Sequence, residues 1–246
     1  MVRTVVGLAV CVAGAVHGQP AAPRFEVASV RPVSPAPGSS SGIGTGHGRL
    51  TANNVTLKRC VIGAYGLGPN EIFGGPEWLD SDRFEIIAKA EEPVGDAALM
   101  AMLQTLLAEL FKLAVHRETR TIPAYVLEVA RKGPKLEKAA GGVSSDASGR
   151  GSIVAGNTTM DHFAWVLARQ MDLPVVNRTG LEGAFNLKLT WTPDSGQPAR
   201  PGGDSGLPDG PSIFTAMQEQ LGLRLRSEKT PVAVLVVDHA ERPSEN

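Results

Sequence analysis

The stretch from Thr56 to Ala90, TLKRCVIGAYGLGPNEIFGGPEWLDSDRFEIIAKA, sets the plan on which the chain is built. Thr56 is a suitable N-cap, because its hydroxyl oxygen can accept a hydrogen bond from a free amide of the first helical turn. Apolar residues then recur at the spacing of one helical face: Leu57, Cys60, Val61, Ala64 and Tyr65. A glycine-rich loop and the apolar segment Phe84–Ala88 follow. The stretch therefore predicts a capped helix, a turn-rich loop and a strand.

The same plan recurs in the second half of the chain, from Thr159 to Leu189. The run Asn157-Thr158-Thr159-Met160 lies 103 positions after Asn54-Val55-Thr56-Leu57. Phe185 then stands opposite Phe84 once the intervening loop is shortened by two residues. We therefore predict an α+β fold of two tandem copies of a small module, each with the order strand, helix, strand, helix and hairpin.

Working outward from this stretch, residues 25–30 are predicted to form a first strand ended by Pro32, and residues 32–48 a mobile loop. Residues 96–110 are predicted to form a second helix with one leucine face, made of Leu99, Leu103, Leu106, Leu107 and Leu110. Two hairpins are expected, one with strands at 112–118 and 124–131 and a turn near Arg120–Pro123, the other with strands at 223–226 and 232–238. These hairpins would close the two modules.

Composition shifts along the chain predict its divisions. Arg3 and the apolar run Val5–Val16 have the pattern of a secretory signal peptide over residues 1–18. The first module is then expected at 19–133, a linker at 134–156 and the second module at 157–246, with a disordered insertion at 193–211. The chain is expected in the periplasm or outside the cell, or on an N-terminal anchor if the leader is kept. We predict no further membrane span.

Charge and cysteine content narrow the classes of function. The formal net charge is −1, and no run of Lys or Arg forms a basic stripe, so nucleic acid is not an expected partner. Once the leader is removed, Cys60 is the only cysteine, which leaves no internal disulfide to staple the fold. The hydrophobic core must then supply the stability of the protein.

Several runs resemble a large family of secreted soil-bacterial proteins of unknown function. They include FEVASVRP at residues 25–32, GRLTANNVTL at 48–57, GGPEWLDSDRFEI at 74–86 and PVVNRTGLEGAFNLKLTWTPD at 174–194. In some relatives a similar module is fused behind a membrane metallopeptidase of the beta-lactam-sensing type. The element order of each half also resembles the short N-terminal domain of secretins and TonB-dependent receptors. That resemblance implies a periplasmic contact module without catalysis.

Motifs that could carry chemistry have structural interpretations here. Gly38–Gly42 matches G-x-S-x-G around Ser40, but it lies in a Pro/Ser/Gly loop without the strand and helix that a nucleophile elbow requires. The glycines of residues 42–48 are interpreted as loop residues, because no helix start follows them to receive a phosphate. The histidines lack metal-ligand spacing. No metal or cofactor is expected.

Two further features invite a functional interpretation. Cys60 falls on the apolar helical stripe opposite Phe163 of the second copy, so we expect a small buried hydrophobe and not a reactive thiol. The acidic loop around Trp78, with Asp80 among its carboxylates, could form a sugar site, but we expect a solvated loop that Trp78 and Leu79 pin to the core. Trp78, Asp80 and Arg83 are kept as interaction candidates.

Three functions stay open from the sequence. The first is a non-catalytic extracytoplasmic binding module whose partner is an envelope protein, a peptide or a glycan. The second is a secreted hydrolase that uses Ser40 with His47 or His116, or a pair of carboxylates assembled by the fold. The third is a sensor of cell-envelope stress, which the resemblance alone implies. The first is favoured.

Overall fold

The structure, a computed structural model, describes residues 22–36, 38–193 and 210–243. The predicted signal peptide at residues 1–18 lies outside the described residues, as does most of the insertion predicted at 193–211. Among the described residues, no helix is long and apolar enough to span a lipid bilayer.

The first half contains β1 (Val27–Val33), β2 (Gly42–Gly46), β3 (Arg49–Thr56), α1 (Leu57–Tyr65), β4 (Ile72–Gly74), a 3-10 turn (Glu77–Leu79), β5 (Arg83–Lys89), α2 (Asp96–Leu110) and β6 (Ala114–Val129). The second half contains β7 (Glu137–Lys138), β8 (Ser145–Gly149), β9 (Ser152–Thr158), α3 (Met160–Ala168), β10 (Val175–Asn177), β11 (Phe185–Thr190), α4 (Ile213–Ala216), which continues into a π-helical turn (Met217–Leu221), and β12 (Leu223–His239). The fold is α+β, and strands dominate it.

The described strands form three four-stranded sheets. The first sheet has the order β1-β5-β3-β2, and its counterpart in the second half has the matching order β7-β11-β9-β8. The sheet between them, the central sheet, has the order β10-β6-β12-β4. In it β4 runs parallel to β12 and β10 runs parallel to β6, so each of these short strands pairs with the long strand of the other half. We call β4 and β10 the exchanged strands.

The predicted helix starts are confirmed by their caps. The Thr56 hydroxyl accepts the amide of Arg59 at 3.2 Å, and the Thr159 hydroxyl accepts the amide of His162 at 3.3 Å. Helix α1 ends at Gly66, whose φ of 64° suits a residue without a side chain. Helix α2 occupies the predicted residues, but the prediction of a buried Leu110 is wrong. Leu110 is the last helical residue, and 37% of its surface is exposed.

Both predicted hairpins are wrong. Residues 114–129 and 223–239 are each one continuous strand, and the two strands pair antiparallel along their whole length. Pro123 and Pro231 fall in the predicted turns, but both occupy positions at which a strand tolerates proline. The amide of Tyr125 points away from β12 and donates to Pro174 at 2.8 Å, so Pro123, two residues earlier, also has its nitrogen on that outer side. Pro231 lies four residues before Leu235, whose amide donates to Glu71 on the outer side of β12, so its nitrogen also faces away from β6.

The first strand and the loop after it also differ from the prediction. Strand β1 continues through Pro32 to Val33, because at the edge of a sheet a proline need not donate a ladder hydrogen bond. The predicted mobile loop contains β2, which a two-residue turn at His47-Gly48 joins to β3. Both turn residues have positive φ, as a type I′ hairpin requires. The predicted linker, residues 134–156, contains β7, β8 and most of β9.

Two main cores lie under the central sheet, one in each half. The first joins β3, β5, α1 and α2 to the end of β12, with Leu57, Phe84 and Phe111 at its centre. The second joins β9, β11, α3 and residues 213–221, which we call the α4 segment, to the start of β12, and it includes the fully buried Phe163 and Leu167. A third, small cluster forms around Ala124, Val232 and Val234 on the central sheet. The central sheet therefore holds the two halves together.

Candidate functional site

A cavity of about 490 Å³ opens in the second half of the molecule. It lies between the end of α3, the turn between β8 and β9, the end of β11 and the start of α4. Its lining includes three aromatic side chains and three charged ones, namely Tyr125, Trp191, Phe214, Arg150, Arg169 and Asp172. We call this cavity the aromatic pocket. Its size is within the range of roughly 300–1,000 Å³ that small-molecule sites occupy.

The rings of Tyr125 and Phe214 form one wall of the aromatic pocket. Their centroids are 5.4 Å apart and their planes lie at 62°, an edge-to-face arrangement. The Tyr125 hydroxyl donates to Asp172 Oδ1 at 3.2 Å. Burial, and then the neighbouring Asp172 carboxylate, raise the pKa of Tyr125, so its hydroxyl stays protonated at neutral pH. The wall therefore presents two rings and a fixed carboxylate.

Backbone contacts hold Trp191, which also lines the pocket. Its amide donates to the carbonyl of Gly151 at 2.9 Å. Gly151 has a φ of 80°, and a Cβ there would collide with the carbonyl of Trp191, so this close approach requires glycine. The Ser212 hydroxyl caps α4 by accepting the amide of Thr215, which fixes the helix that carries Phe214.

The first half has the equivalent backbone without the aromatic rings. There Ala90 donates its amide to Gly48 at 2.8 Å, as Trp191 does to Gly151. Leu235 stands where Tyr125 stands in the other half, since each donates its amide to the residue before an exchanged strand. The module thus folds with Ala and Leu at these two places. In the second half the three rings are partly buried against the core and also line the pocket, and their presence where the first half has Ala and Leu favours a role in binding.

The predicted interaction candidates lie in the first half, and each has a partner within the chain. The Trp78 ring packs edge-on to Phe84, with centroids 6.4 Å apart, and the guanidinium of Arg242 lies 5.2 Å from the indole centroid. Asp80 forms an ion pair with Lys58 at 3.0 Å. Arg83 donates to the backbone carbonyl of Asn54 at 3.2 Å. These contacts tie residues 75–82, which we call the Trp78 loop, to helix α1 and to the C-terminal segment.

A second cavity, of about 560 Å³, adjoins the Trp78 loop. Arg83, Asp82 and Arg242 line it together with Phe84. Arg242 Nε donates to Asp82 Oδ2 at 2.7 Å, so these two charges compensate each other across the cavity wall. The structure brings Arg83 to this cavity, whereas Trp78 and Asp80 are not among its lining residues.

The G-x-S-x-G segment does not form a nucleophile elbow. Ser40 is followed by strand β2 and not by a helix. The carbonyls of Ser39 and Ser40 accept hydrogen bonds from the Asn54 amide group at 3.3 Å. In the part of the chain that the structure describes, no hydrogen bond joins Ser40 to His47 or His116. His116 instead lies on the central sheet, with Nδ1 2.9 Å from the Asp238 carboxylate.

Cys60 is a buried apolar residue, as the helical stripe predicts. Its side chain is 1% exposed in the first core. Burial raises the pKa of the Cys60 thiol to about 12, although the nearby Arg59 charge acts in the opposite direction. The reactive species of a cysteine is the thiolate, so this thiol is unreactive at neutral pH.

Three of the carboxylates around Trp78 face different cations. Glu85 pairs with Arg31, and Asp82 pairs with Arg242. Asp80, as described above, pairs with Lys58. A glycosidase needs two carboxyl groups that face one substrate bond from its two sides. Within residues 22–36, 38–193 and 210–243, no group of three His, Cys, Asp or Glu side chains is placed to hold a metal ion.

The sequence alone did not single out the aromatic pocket, because its residues are far apart along the chain. Tyr125 lies in a segment predicted as a hairpin strand of the first half, whereas Trp191 and Phe214 lie in the second half. One signal was present. Alignment of the two copies at Phe84 and Phe185 places Trp191 opposite Ala90, an exchange of a small residue for a large aromatic one.

One comparison with known proteins identifies a relative. The sequence model of the family described as "Protein of unknown function (DUF3738)" matches residues 33–240. This range contains every described element from β2 to β12. No curated protein and no solved structure matches the chain significantly.

Proposed function

We propose that this chain, which belongs to the DUF3738 family of proteins of unknown function, is a binding protein that acts outside the cytoplasm. It would hold its ligand in the aromatic pocket of the second half. The observation that carries the proposal is the difference between the two halves: the same backbone surrounds Trp191 and Tyr125 in one and Ala90 and Leu235 in the other. A binding role explains why aromatic rings stand where the first half has Ala and Leu.

The composition of the pocket supports binding. Aromatic side chains supply a large contact area at a small cost in conformational entropy, since each has only two side-chain torsions. Tyr125 and Phe214 hold each other in place, and Asp172 fixes the Tyr125 hydroxyl. Such pre-ordered walls reduce the entropy lost when a ligand binds.

The groups that suggested hydrolysis have structural roles that favour this proposal over the alternative. Cys60 is buried and protonated, and the Ser40 segment packs against Asn54. Two carboxylates of the Trp78 loop, Asp80 and Asp82, are engaged in separate ion pairs.

Nuclear magnetic resonance of the three indole N–H groups tests the binding role. Trp78, Trp165 and Trp191 are the only tryptophans, so each gives a signal that single Trp→Phe variants assign. A chemically diverse set of saccharides, short peptides and aromatic acids is titrated into the protein. We expect at least one compound to shift the Trp191 signal saturably and leave the Trp78 signal in place. A Trp191 signal that no compound moves, or compounds that act only on Trp78, would overturn the proposal.

Export is tested separately by fusing residues 1–24 to an alkaline phosphatase that lacks its own leader. The phosphatase folds only where disulfides can form, outside the cytoplasm. We expect activity from this fusion and none when two charged residues interrupt the apolar run, as in Val10→Asp/Val12→Asp. Equal activity from both fusions would contradict export by this segment.

A further inference from the structure

We propose that two copies of this chain associate through β2, whose backbone pairs antiparallel with the β2 of a second copy. The first sheet would then continue across both protomers, each of which contributes four strands. The association is independent of the aromatic pocket, which lies in the other half of the molecule, so either proposal can fail without the other.

The outer edge of β2 is open. β2 lies at one end of the first sheet and pairs with β3 on one side only. Gly46 bonds to Arg49 across the two-residue turn, and every second residue back along β2 faces β3 in the same way. The amides and carbonyls of Ile43 and Thr45 therefore point away from β3. In the part of the chain that the structure describes, no hydrogen bond reaches these groups, which leaves them as a template for a further strand.

The other edge strands carry features that hinder such pairing. β4, β7 and β10 are only two or three residues long. β1 contains Arg31 and Pro32. β8, the counterpart of β2, contains Asp146, which points inward and forms an ion pair with His162 at 3.0 Å. Short length, proline and inward-pointing charge all protect sheet edges. β2 has five residues, GIGTG, and none of them is charged or proline.

The clearest difference between β2 and β8 decides which edge a second copy can approach. Ile43 lies 103 positions before Asp146, which is the offset between the two halves. Ile43 is half-buried against the first core, so it adds no charge to the edge. Pairing of two β8 strands would bring two Asp146 carboxylates close together, and like charges on neighbouring strands repel. Pairing of two β2 strands meets no such repulsion.

A second β2 fits the edge when the two strands pair antiparallel about Gly44. Ile43 of each copy then faces Thr45 of the other, and each of these pairs exchanges two backbone hydrogen bonds. Arg49, the charged residue beside β2 on the outer face of the sheet, would be more than about 13 Å from its own copy, because the two lie four residues apart along the strands. Like charges therefore do not oppose the pairing. One short strand buries little surface, so we expect a weak dimer with a dissociation constant above about 1 µM.

Sedimentation velocity of the purified protein, at concentrations from about 1 µM to about 1 mM, tests the association. We expect the mass to rise from that of one chain to that of two. Thr45→Pro removes one outward donor from each copy and leaves the pairing with β3 intact, because the nitrogen of residue 45 faces away from β3. We expect it to raise the dissociation constant by at least about tenfold. Two matched controls should leave it unchanged: Thr45→Val, which keeps the amide, and Ser148→Pro, the equivalent change in β8.

Amide hydrogen exchange on the unaltered protein gives a second measurement, which a folding defect of a variant cannot affect. We expect the Ile43 and Thr45 amides to exchange more slowly as the concentration rises, and the Asp146 amide to show no change. A protein that stays monomeric at every concentration would overturn the proposal. So would a dimer that Thr45→Pro leaves intact or that Ser148→Pro weakens equally. If the protein is monomeric and the two amides become protected only in a cell-envelope extract, the edge takes a foreign strand and self-pairing is wrong.

Discussion

At the scale of single residues, burial decides what Cys60 can do. The side chain is 1% exposed, and the pKa of its thiol is raised to about 12 from an ordinary value of 9.0. The folded state therefore favours the neutral thiol. This contribution to stability is fully present below pH 9 and is lost as pH rises towards 12, because the unfolded chain ionises first.

We predict that Cys60 is not labelled by a disulfide reagent at pH 8 unless the protein unfolds. The folded state holds the thiol neutral and out of contact with solvent. Absorbance measurements on a Cys11→Ser variant, which leaves Cys60 as the only cysteine, should show labelling only as urea unfolds the chain. Rapid labelling without urea would contradict the burial of Cys60.

The substitution Cys60→Ser should lower the free energy of unfolding by about 1–3 kcal/mol, because it places a hydroxyl in an apolar core. Cys60→Ala is the matched control, since it removes the sulfur without adding a polar group. Urea denaturation should show the serine variant to be the less stable of the two. Equal stability would mean that the hydroxyl finds a partner or reaches water.

His116 is expected to titrate above its ordinary value of 6.5. Its hydrogen bond to Asp238 raises the pKa of the imidazole, and the Asp238 and Glu118 charges act in the same direction. The pairing stabilises the fold below pH 6.5, and this stabilisation is lost as pH rises through the raised pKa. A proton-resonance titration should give a pKa above 6.5, and Asp238→Asn should lower it. A value that does not respond to Asp238→Asn would exclude the pair as its cause.

At the scale of elements, the connection from the second helix of each half to its long strand uses a different residue in each half. Between α2 and β6 the residue with positive φ is Lys112, at 49°, and between the α4 segment and β12 it is Gly222, at 64°. A residue with a side chain is strained in this left-handed conformation, whereas glycine adopts it readily. The first half therefore carries strain that the second half avoids.

The junction gives a pair of opposite predictions. Lys112→Gly should raise the free energy of unfolding by about 0.5–1 kcal/mol, because relief of the left-handed strain exceeds the entropic cost of glycine. Gly222→Ala should lower it by more than about 2 kcal/mol, since a Cβ there adds that strain and also collides with the carbonyl of Gly133. Urea denaturation measures both. Destabilisation by Lys112→Gly would show that the lysine side chain contributes more than the strain costs.

The two long strands, β6 and β12, tolerate proline only at positions whose backbone nitrogen faces away from the other long strand. Pro123 has its nitrogen on the outer edge of β6, whereas the amide of Ile122 points to β12. We predict that Ile122→Pro destabilises the protein by about 3 kcal/mol or more, because it removes a ladder hydrogen bond. Pro123→Thr should change stability by less than about 1 kcal/mol. Thermal unfolding compares the two, and equal losses would contradict this orientation of the strand.

The elements that sequence could predict are those whose causes are local. The cap at Thr56 and the apolar stripe after it lie within one segment, and so helix α1 follows from the sequence. A proline in a strand is also a local signal, but its meaning depends on which edge its nitrogen faces. Residues near Pro123 and Pro231 were therefore predicted as turns, whereas pairing between the two halves makes them strand.

At the scale of the whole molecule, the exchanged strands make each half complete a sheet of the other. β4 pairs with β12, and β10 pairs with β6. Side chains add to this contact: the Trp165 indole donates to the Leu67 carbonyl at 3.0 Å, and Asn70 donates to the Met171 carbonyl at 3.5 Å. Separation of the halves would leave backbone groups of the central sheet unpaired.

We therefore predict that the protein unfolds in one cooperative transition. Trp78→Phe leaves fluorescence reporters only in the second half, and Trp165→Phe/Trp191→Phe leaves Trp78 to report on the first. The urea midpoint of each variant, measured by fluorescence and by circular dichroism, should coincide. Two separate transitions in either variant would show that the halves are independent units.

The aromatic pocket could not be predicted because it needs the whole molecule. The backbone of Trp191 is held at the pocket by a hydrogen bond to the turn residue Gly151. Tyr125 belongs to β6, a strand of the first half that lies in the central sheet. The register of β6 against β10 brings them together, and it depends on contacts between residues about fifty positions apart. Periodicity within one segment carries no information on that register.

The exchanged strands also leave the two halves free to differ. A single module would lack the parallel neighbour of its long strand, and here the other module supplies it within one polypeptide. No symmetry requires the two equivalent places to carry the same residues, so one half can carry Ala90 and Leu235 while the other carries Trp191 and Tyr125.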